Sequence, residues 1–159
     1  MKEYRFVSAS LIAVWGICLL FTVAGSARAQ PMPEIYARVY GNWCGPNHPV
    51  DMSRAAAPVD PLDEACMRHD YCVAARGVYD CGCDISFLQE LRNTRWGNPA
   101  IQGNARAIYD AIALVPCSNP DGTTYKQTLF IVDLLYDVAS GKGMPVDVVD
   151  RWRSLIFGR

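Results

Sequence analysis

The sequence predicts a small all-helical domain stapled by disulfides. Three observations carry that expectation. Apolar residues recur at spacings of 3 and 4 along the second half of the chain. Proline and glycine stand where such helices would start and stop, and six cysteines follow an apolar leader. Helical periodicity, cap punctuation and an even cysteine count each point the same way. The 159 residues leave room for one domain.

The leader comes first. Lys2 and Arg5 form a basic start, Val7 to Val23 is almost wholly apolar, and Ala27-Arg28-Ala29 is a small-x-small cleavage signature. A transmembrane anchor would want about 20 apolar residues and no such signature. Residues 1–29 are therefore expected to be a removed signal peptide, with 30–159 as the secreted domain. Removal takes away Lys2, Arg5, Arg28 and Glu3, leaving 12 basic and 15 acidic side chains, a net charge of −3. That excludes nucleic acid as the expected partner, since phosphate binding asks for a strongly basic face. Cys44, Cys66, Cys72, Cys81, Cys83 and Cys117 remain, and export favours three disulfides over a thiolate zinc site. Six cysteines allow 15 pairings, and spacing does not choose among them.

Gln30 to Glu34 is proline-rich and extended, and Ile35 to Val39 is long enough for one helical turn. Tyr40 to Pro49 is dense in turn formers and reads as an irregular loop, as does Asp51 to Pro58. A helix then runs from Leu62 through Cys72 to about Arg76, with Asp60 as its cap, Pro61 in the first position and Asp63 and Glu64 in the first turn. Gly77 ends it. A second helix is expected from Asp84 to about Trp96, with Ile85, Leu88 and Leu91 inward. Asn98-Pro99 opens a third, whose stripe is Ile101, Ala105, Ile108, Ile112 and Val115. Asn119 to Gly122 reads as a turn. Phe130, Ile131, Leu134, Leu135 and Val138 define a fourth helix, with Asp133 and Asp137 off its stripe and Gly141 at its end. After Pro145 a last helix presents Val149, Trp152, Leu155 and Ile156. Its Trp152, Phe157, Arg151, Arg153 and Arg159 would also suit a membrane interface, although packing on the domain is the simpler role.

The chemistry is concentrated in the first helix. Cys66, His69 and Cys72 share roughly one face, while Asp70 is turned away by about 100° towards a different neighbour. His69 taken alone would read as a buried, hydrogen-bonded core histidine, Asp70 as a solvated acid and Asp84 as a helix cap. Their flanks change that reading. Tyr40-Gly41-Asn42-Trp43-Cys44-Gly45-Pro46-Asn47, then Asp63-x-x-Cys66-x-x-His69-Asp70-x-Cys72, then Cys81-x-Cys83-Asp84 occur in that order.

This order resembles the secreted, calcium-dependent phospholipase A2 family, over residues 40–84. The resemblance implies two antiparallel catalytic helices and an N-terminal calcium-binding loop. It implies Ca2+ held by the carbonyls of Trp43, Gly45 and Asn47 and by the Asp70 carboxylate, a ligand set of hard oxygens that suits this cation. It implies His69 as general base on water, Asp84 orienting it, and the Gly45 N–H helping the metal to stabilise an oxyanion. It further implies the disulfides Cys44–Cys66 and Cys72–Cys83, which leaves Cys81 with Cys117. The substrate would be the sn-2 ester of a glycerophospholipid at a membrane surface. Asn47 stands where the family usually has glycine, a change that asparagine's tolerance of positive φ accommodates. Eight residues between Cys72 and Cys81 leave no room for a β-wing, which brings the chain nearer the plant-type members. Val73 replaces a tyrosine that often bonds the aspartate, and Tyr79 is a candidate substitute. Two other classes stay open: a phospholipase-like binding protein or toxin, and a calcium-binding structural module. Neither has a use for the His69–Asp84 pair.

Overall fold

The computed structural model describes residues 36–158. The expected signal peptide, Gln30 to Ile35 and Arg159 lie outside the described residues. The described residues form five α-helices, one short 3-10 helix and an isolated bridge between Tyr40 and Cys44. The helices are α1 (Pro61–Arg76), α2 (Cys81–Asn93), α3 (Pro99–Leu114), α4 (Pro120–Ala139) and α5 (Val146–Phe157). The all-helical expectation holds, and so do the three disulfides, Cys44–Cys66, Cys72–Cys83 and Cys81–Cys117.

Caps set the boundaries. Asp60 accepts from the Asp63 N–H, Asp80 from Cys83, Asn98 from Ile101 and Asn119 from Gly122, each at 2.7–2.9 Å. Replacing such a cap by alanine typically costs about 1 kcal/mol. Proline occupies the first position of α1, α3 and α4, where its missing N–H loses nothing. Two expected boundaries move for this reason. The Asp80 cap starts α2 three residues early, at Cys81, and Asn119-Pro120 opens α4 rather than forming a turn. Tyr36 to Val39 is not helical: Ala37 and Val39 donate to the Pro46 and Cys44 carbonyls at 3.1 and 2.9 Å, so this segment pairs with the loop. A 3-10 helix, Met52–Arg54, interrupts the second expected loop.

α1 and α2 are antiparallel, joined through Gly77 to Asp80. Cys72 meets Cys83, His69 meets Asp84 and Arg68 meets Glu90, partners that run in opposite directions along the two helices. α3 packs against α2, α4 and α5 and carries the centre of the core. Leu62, Ala65, Leu88, Ala105 and Ala113 have no exposed surface, and Trp43, Phe87, Leu91, Trp96, Tyr109 and Phe130 fill the space around them. Truncating Leu88 to alanine would cost about 2–5 kcal/mol.

Two expected faces are turned in part. In α4 Phe130 and Leu134 of the expected stripe pack on the core together with Lys126 and Asp133, while Ile131, Leu135 and Val138 are exposed. Asp133 receives Arg92 at 2.8 Å and the Tyr109 hydroxyl at 2.7 Å, and Asp137 pairs with Arg106 at 3.1 Å. In α5 the inward set is Val148, Trp152 and Leu155, with Val149, Ile156 and Phe157 outside. Arg151 pairs with the wholly buried Asp110, at 2.6 Å. Packing and ion pairing on the domain therefore account for Arg151 and Trp152. Among the described residues no helix is long and apolar enough to cross a membrane.

Candidate active site

The stripe Asp63, Cys66, Asp70 runs down one side of α1 and carries the Tyr40–Asn47 loop. Asp63 is fully buried, and its carboxylate accepts from the N–H groups of Asn42 and Trp43 at 2.8 Å and of Val59 at 3.0 Å. Cys66 bonds Cys44, and the Trp43 ring lies 5.6 Å from that of Tyr71. A side chain at Gly41 would collide with Asp63: its Cβ would stand 2.2 Å from the carboxyl carbon, at a φ of +56°. At Gly45 a Cβ would fall 1.9 Å from the Ala37 carbonyl oxygen. Asn47 adopts φ +52°, the conformation expected of it. The loop is thus shaped by what lies beneath it, and Asp63, which the sequence placed at a helix start and at the head of the motif without a duty of its own, is a shaping residue.

Within that loop the Cys44 carbonyl accepts from Val39 and Tyr40, and the Gly45 carbonyl from His48 at 3.3 Å. The Gly45 N–H makes no backbone–backbone hydrogen bond among the described residues. Asp70, at the lower end of the stripe, is largely withdrawn from solvent. Its Oδ2 is buried with no hydrogen-bond partner among the described residues. Burial pushes its carboxyl up to about 7, and the nearby Asp63 charge adds to the effect. No cluster of three or more His, Cys, Asp or Glu side chains suited to a metal occurs among the described residues.

On the adjoining face of α1, His69 Nε2 lies 2.9 Å from Asp84 Oδ1. The ring stacks on Phe87 at 4.6 Å between centroids, which fixes its plane. A carboxylate accepts only, so the neutral ring carries its proton on Nε2 and keeps a lone pair on Nδ1. Asp84 is itself buried. Burial alone would raise its carboxyl, but hydrogen bonds from His69 and Lys126 hold it below the ordinary carboxylate range. The second oxygen, Oδ2, meets the Lys126 ammonium. Tyr79 does not take that place: it is exposed, at φ +65°, and engages Ser118 through its backbone carbonyl. Lys126 escaped sequence reading because a single lysine on a polar helix turn carries no motif.

Comparison with known proteins finds a partial likeness. A curated protein of Oryza sativa subsp. japonica named phospholipase A2 homolog 3 is 34% identical over 77 residues, covering 48% of this chain and 46% of the relative. The likeness is confined to those 77 residues. The chain spans about half the length of the curated relative it matches. No family model matches it, and no solved structure does. The arrangement has two chemically separate halves. One is a histidine with a fixed tautomer and a free lone pair; the other is the buried Asp70 carboxylate, whose Oδ2 has no hydrogen-bond partner among the described residues.

Proposed function

We propose that this chain is an exported, calcium-dependent phospholipase A2 that hydrolyses the sn-2 ester of glycerophospholipids to a fatty acid and a lysophospholipid. The observation that carries the reading is the His69–Asp84 pair at 2.9 Å, which links α1 to α2, with the orphaned Asp70 carboxylate next to His69 in the chain. A buried carboxylate oxygen with no donor fits a cation. With no other acidic or thiolate cluster among the described residues, the remaining ligands would be carbonyls. That donor set suits calcium rather than zinc.

Asp70 and the carbonyls of Trp43, Gly45 and Asn47 are the residues that would hold the ion. When bound, calcium would act as a Lewis acid on the ester carbonyl. The chain's own groups do the rest. His69 Nδ1 takes a proton from the attacking water, worth about 10²–10⁴ in rate. Asp84 keeps the imidazole oriented and stabilises the imidazolium as it forms. The Gly45 N–H offers a donor to the charge developing on the carbonyl oxygen. Apolar leader, cysteine count and disulfides support a secreted destination. The test is fatty-acid release from phosphatidylcholine vesicles, with and without a calcium chelator. Release that is equal in chelator removes the metal from the reading, and no release in either removes the enzyme.

A further inference from the structure

Lys126 belongs to none of the motifs above. It sits in the second turn of α4, 42 residues beyond Asp84, and has no exposed surface. Lysine is almost never buried to that extent unless it is paired. Its ammonium donates to Asp84 Oδ2 and, at 2.8 Å, to the carbonyl of Val115, the residue that caps the C-terminus of α3. A carboxylate and the negative end of a helix dipole thus converge on one cation.

We infer that Lys126 is a positioning residue for the His69–Asp84 pair: it holds Asp84 charged and in one orientation, so that Oδ1 fixes the proton of His69 on Nε2. The inference rests on the reading of His69 as general base. Asp84 has two oxygens, and His69 uses one. Without Lys126 the other would be a buried acceptor with no donor, a costly state that the carboxyl escapes by taking a proton or turning. Either response frees the imidazole to adopt its other tautomer. A neutral hydroxyl would satisfy Oδ2 without countering its charge, whereas an ammonium does both. The charged groups around the pair are few. α1 brings His69 and, on the adjoining face, Asp70; α2 brings Asp84; α4 brings Lys126; α3 brings only the Val115 carbonyl.

The scaffold ties both ends of this contact together. Cys81 stands one turn before Asp84 on α2, and its disulfide partner Cys117 lies in the connection that leads into α4. The Asn119 cap, with Oδ1 2.7 Å from the Gly122 N–H, then starts the helix that delivers Lys126.

The test uses the full domain, labelled with ¹⁵N, and two variants, Lys126→Met and Lys126→Gln. Ring NMR reads the tautomer of His69, with His48 as the other histidine of the chain. Fatty-acid release from phosphatidylcholine vesicles in calcium reads kcat and KM. The parent should show a single Nε2–H tautomer with a low-field ring proton. Lys126→Met should lose that proton and populate both tautomers, with kcat down about 10–100-fold and KM within about twofold, the scale on which supporting partners of a site act. A folded Lys126→Met that keeps the parent's ring signals, or its kcat, overturns the proposal. Should that variant not fold, Lys126→Gln decides, because its neutral amide is one atom shorter; parent-like ring signals there overturn the proposal equally. Ring signals that change in the variant, in a protein whose parent releases no fatty acid, leave the positioning role standing and remove the phospholipase reading. Unchanged ring signals in an active protein do the reverse.

Discussion

His69, Asp70 and Asp84 are three short side chains with three separable tasks, and substitution can tell them apart. His69→Gln keeps a polar group on the same helix face, so folding and calcium binding should survive while fatty-acid release falls by about 10²–10⁴. Calorimetric calcium titration beside a vesicle assay checks both halves of that statement. Asp84→Asn is a less clean probe than its position in the sequence suggests, because it strands the buried Lys126 ammonium. Breaking one side of a buried pair costs about 3–5 kcal/mol, so thermal unfolding of Asp84→Asn should show a large loss. Asp84→Asn/Lys126→Met should recover much of it. Asp70 carries a pH signature. Its carboxyl titrates near 7 in the fold against an ordinary value of 3.8, so the folded state holds a proton that the unfolded chain has already released. The stability that this group contributes is therefore complete below about pH 4 and lost as pH rises through 7, with calcium absent. Calcium binding must displace that proton, so calcium should raise the melting temperature more at pH 8 than at pH 5. Asp70→Asn should flatten both trends, and a parent whose calcium-free stability rises from pH 5 to 8 with no such difference would contradict the assignment.

At the scale of elements, the loop and α1 form one unit, and the loop's shape depends on Asp63 as much as on its own glycines. Gly41→Ala forces a side chain into the Asp63 carboxylate and a left-handed backbone, so the three hydrogen bonds that Asp63 accepts from Asn42, Trp43 and Val59 cannot all persist. It should weaken calcium binding at least as much as it lowers stability, measurable by calorimetry and thermal unfolding on one sample. The helices themselves were legible, because proline, asparagine and aspartate at their starts act locally, through backbone groups two or three residues away. The His69–Asp84 pair was legible because its flanking cysteines make the pattern specific. What periodicity could not show is which face of α4 turns inward. Of its apolar stripe Phe130 and Leu134 pack inward but Ile131, Leu135 and Val138 do not, because Lys126, Asp133 and Asp137 each meet an opposite charge on another helix. Those partners, Asp84, Arg92 and Arg106, are distant in sequence, and no single-chain pattern encodes the match. In α5 Trp152 and Leu155 face inward as expected, while Val148 takes the inner place expected of Val149, on the side where Arg151 reaches Asp110.

For the whole molecule the disulfides act as a frame with different duties. Cys44–Cys66 fastens the loop to α1, and Cys72–Cys83 fastens α1 to α2, so both lie within the motif region. Cys81–Cys117 spans 36 residues and reaches from the start of α2 to the connection before α4, beyond anything the motifs cover. In the chain-entropy account a closure of that length is worth roughly 4 kcal/mol, within a usual range of about 2–5. Stability is not all that this bridge holds. Asp84 stands on α2, where the bridge begins, and Lys126 on α4, which starts three residues after Cys117. The Ser118 N–H to Tyr79 carbonyl bond at 2.7 Å and the packing of α2, α3 and α4 add to that link. Cys81→Ser/Cys117→Ser should therefore lower the melting temperature and also reduce kcat at temperatures where the variant is fully folded, with calcium affinity close to that of the parent. Cys44→Ser/Cys66→Ser should show the opposite pattern, losing calcium affinity first, because its bridge ends in the loop. Thermal unfolding, calcium titration and vesicle hydrolysis on the two pairs separate the duties. Equal loss of calcium affinity in both would mean that the frame acts as one undivided support and not as two.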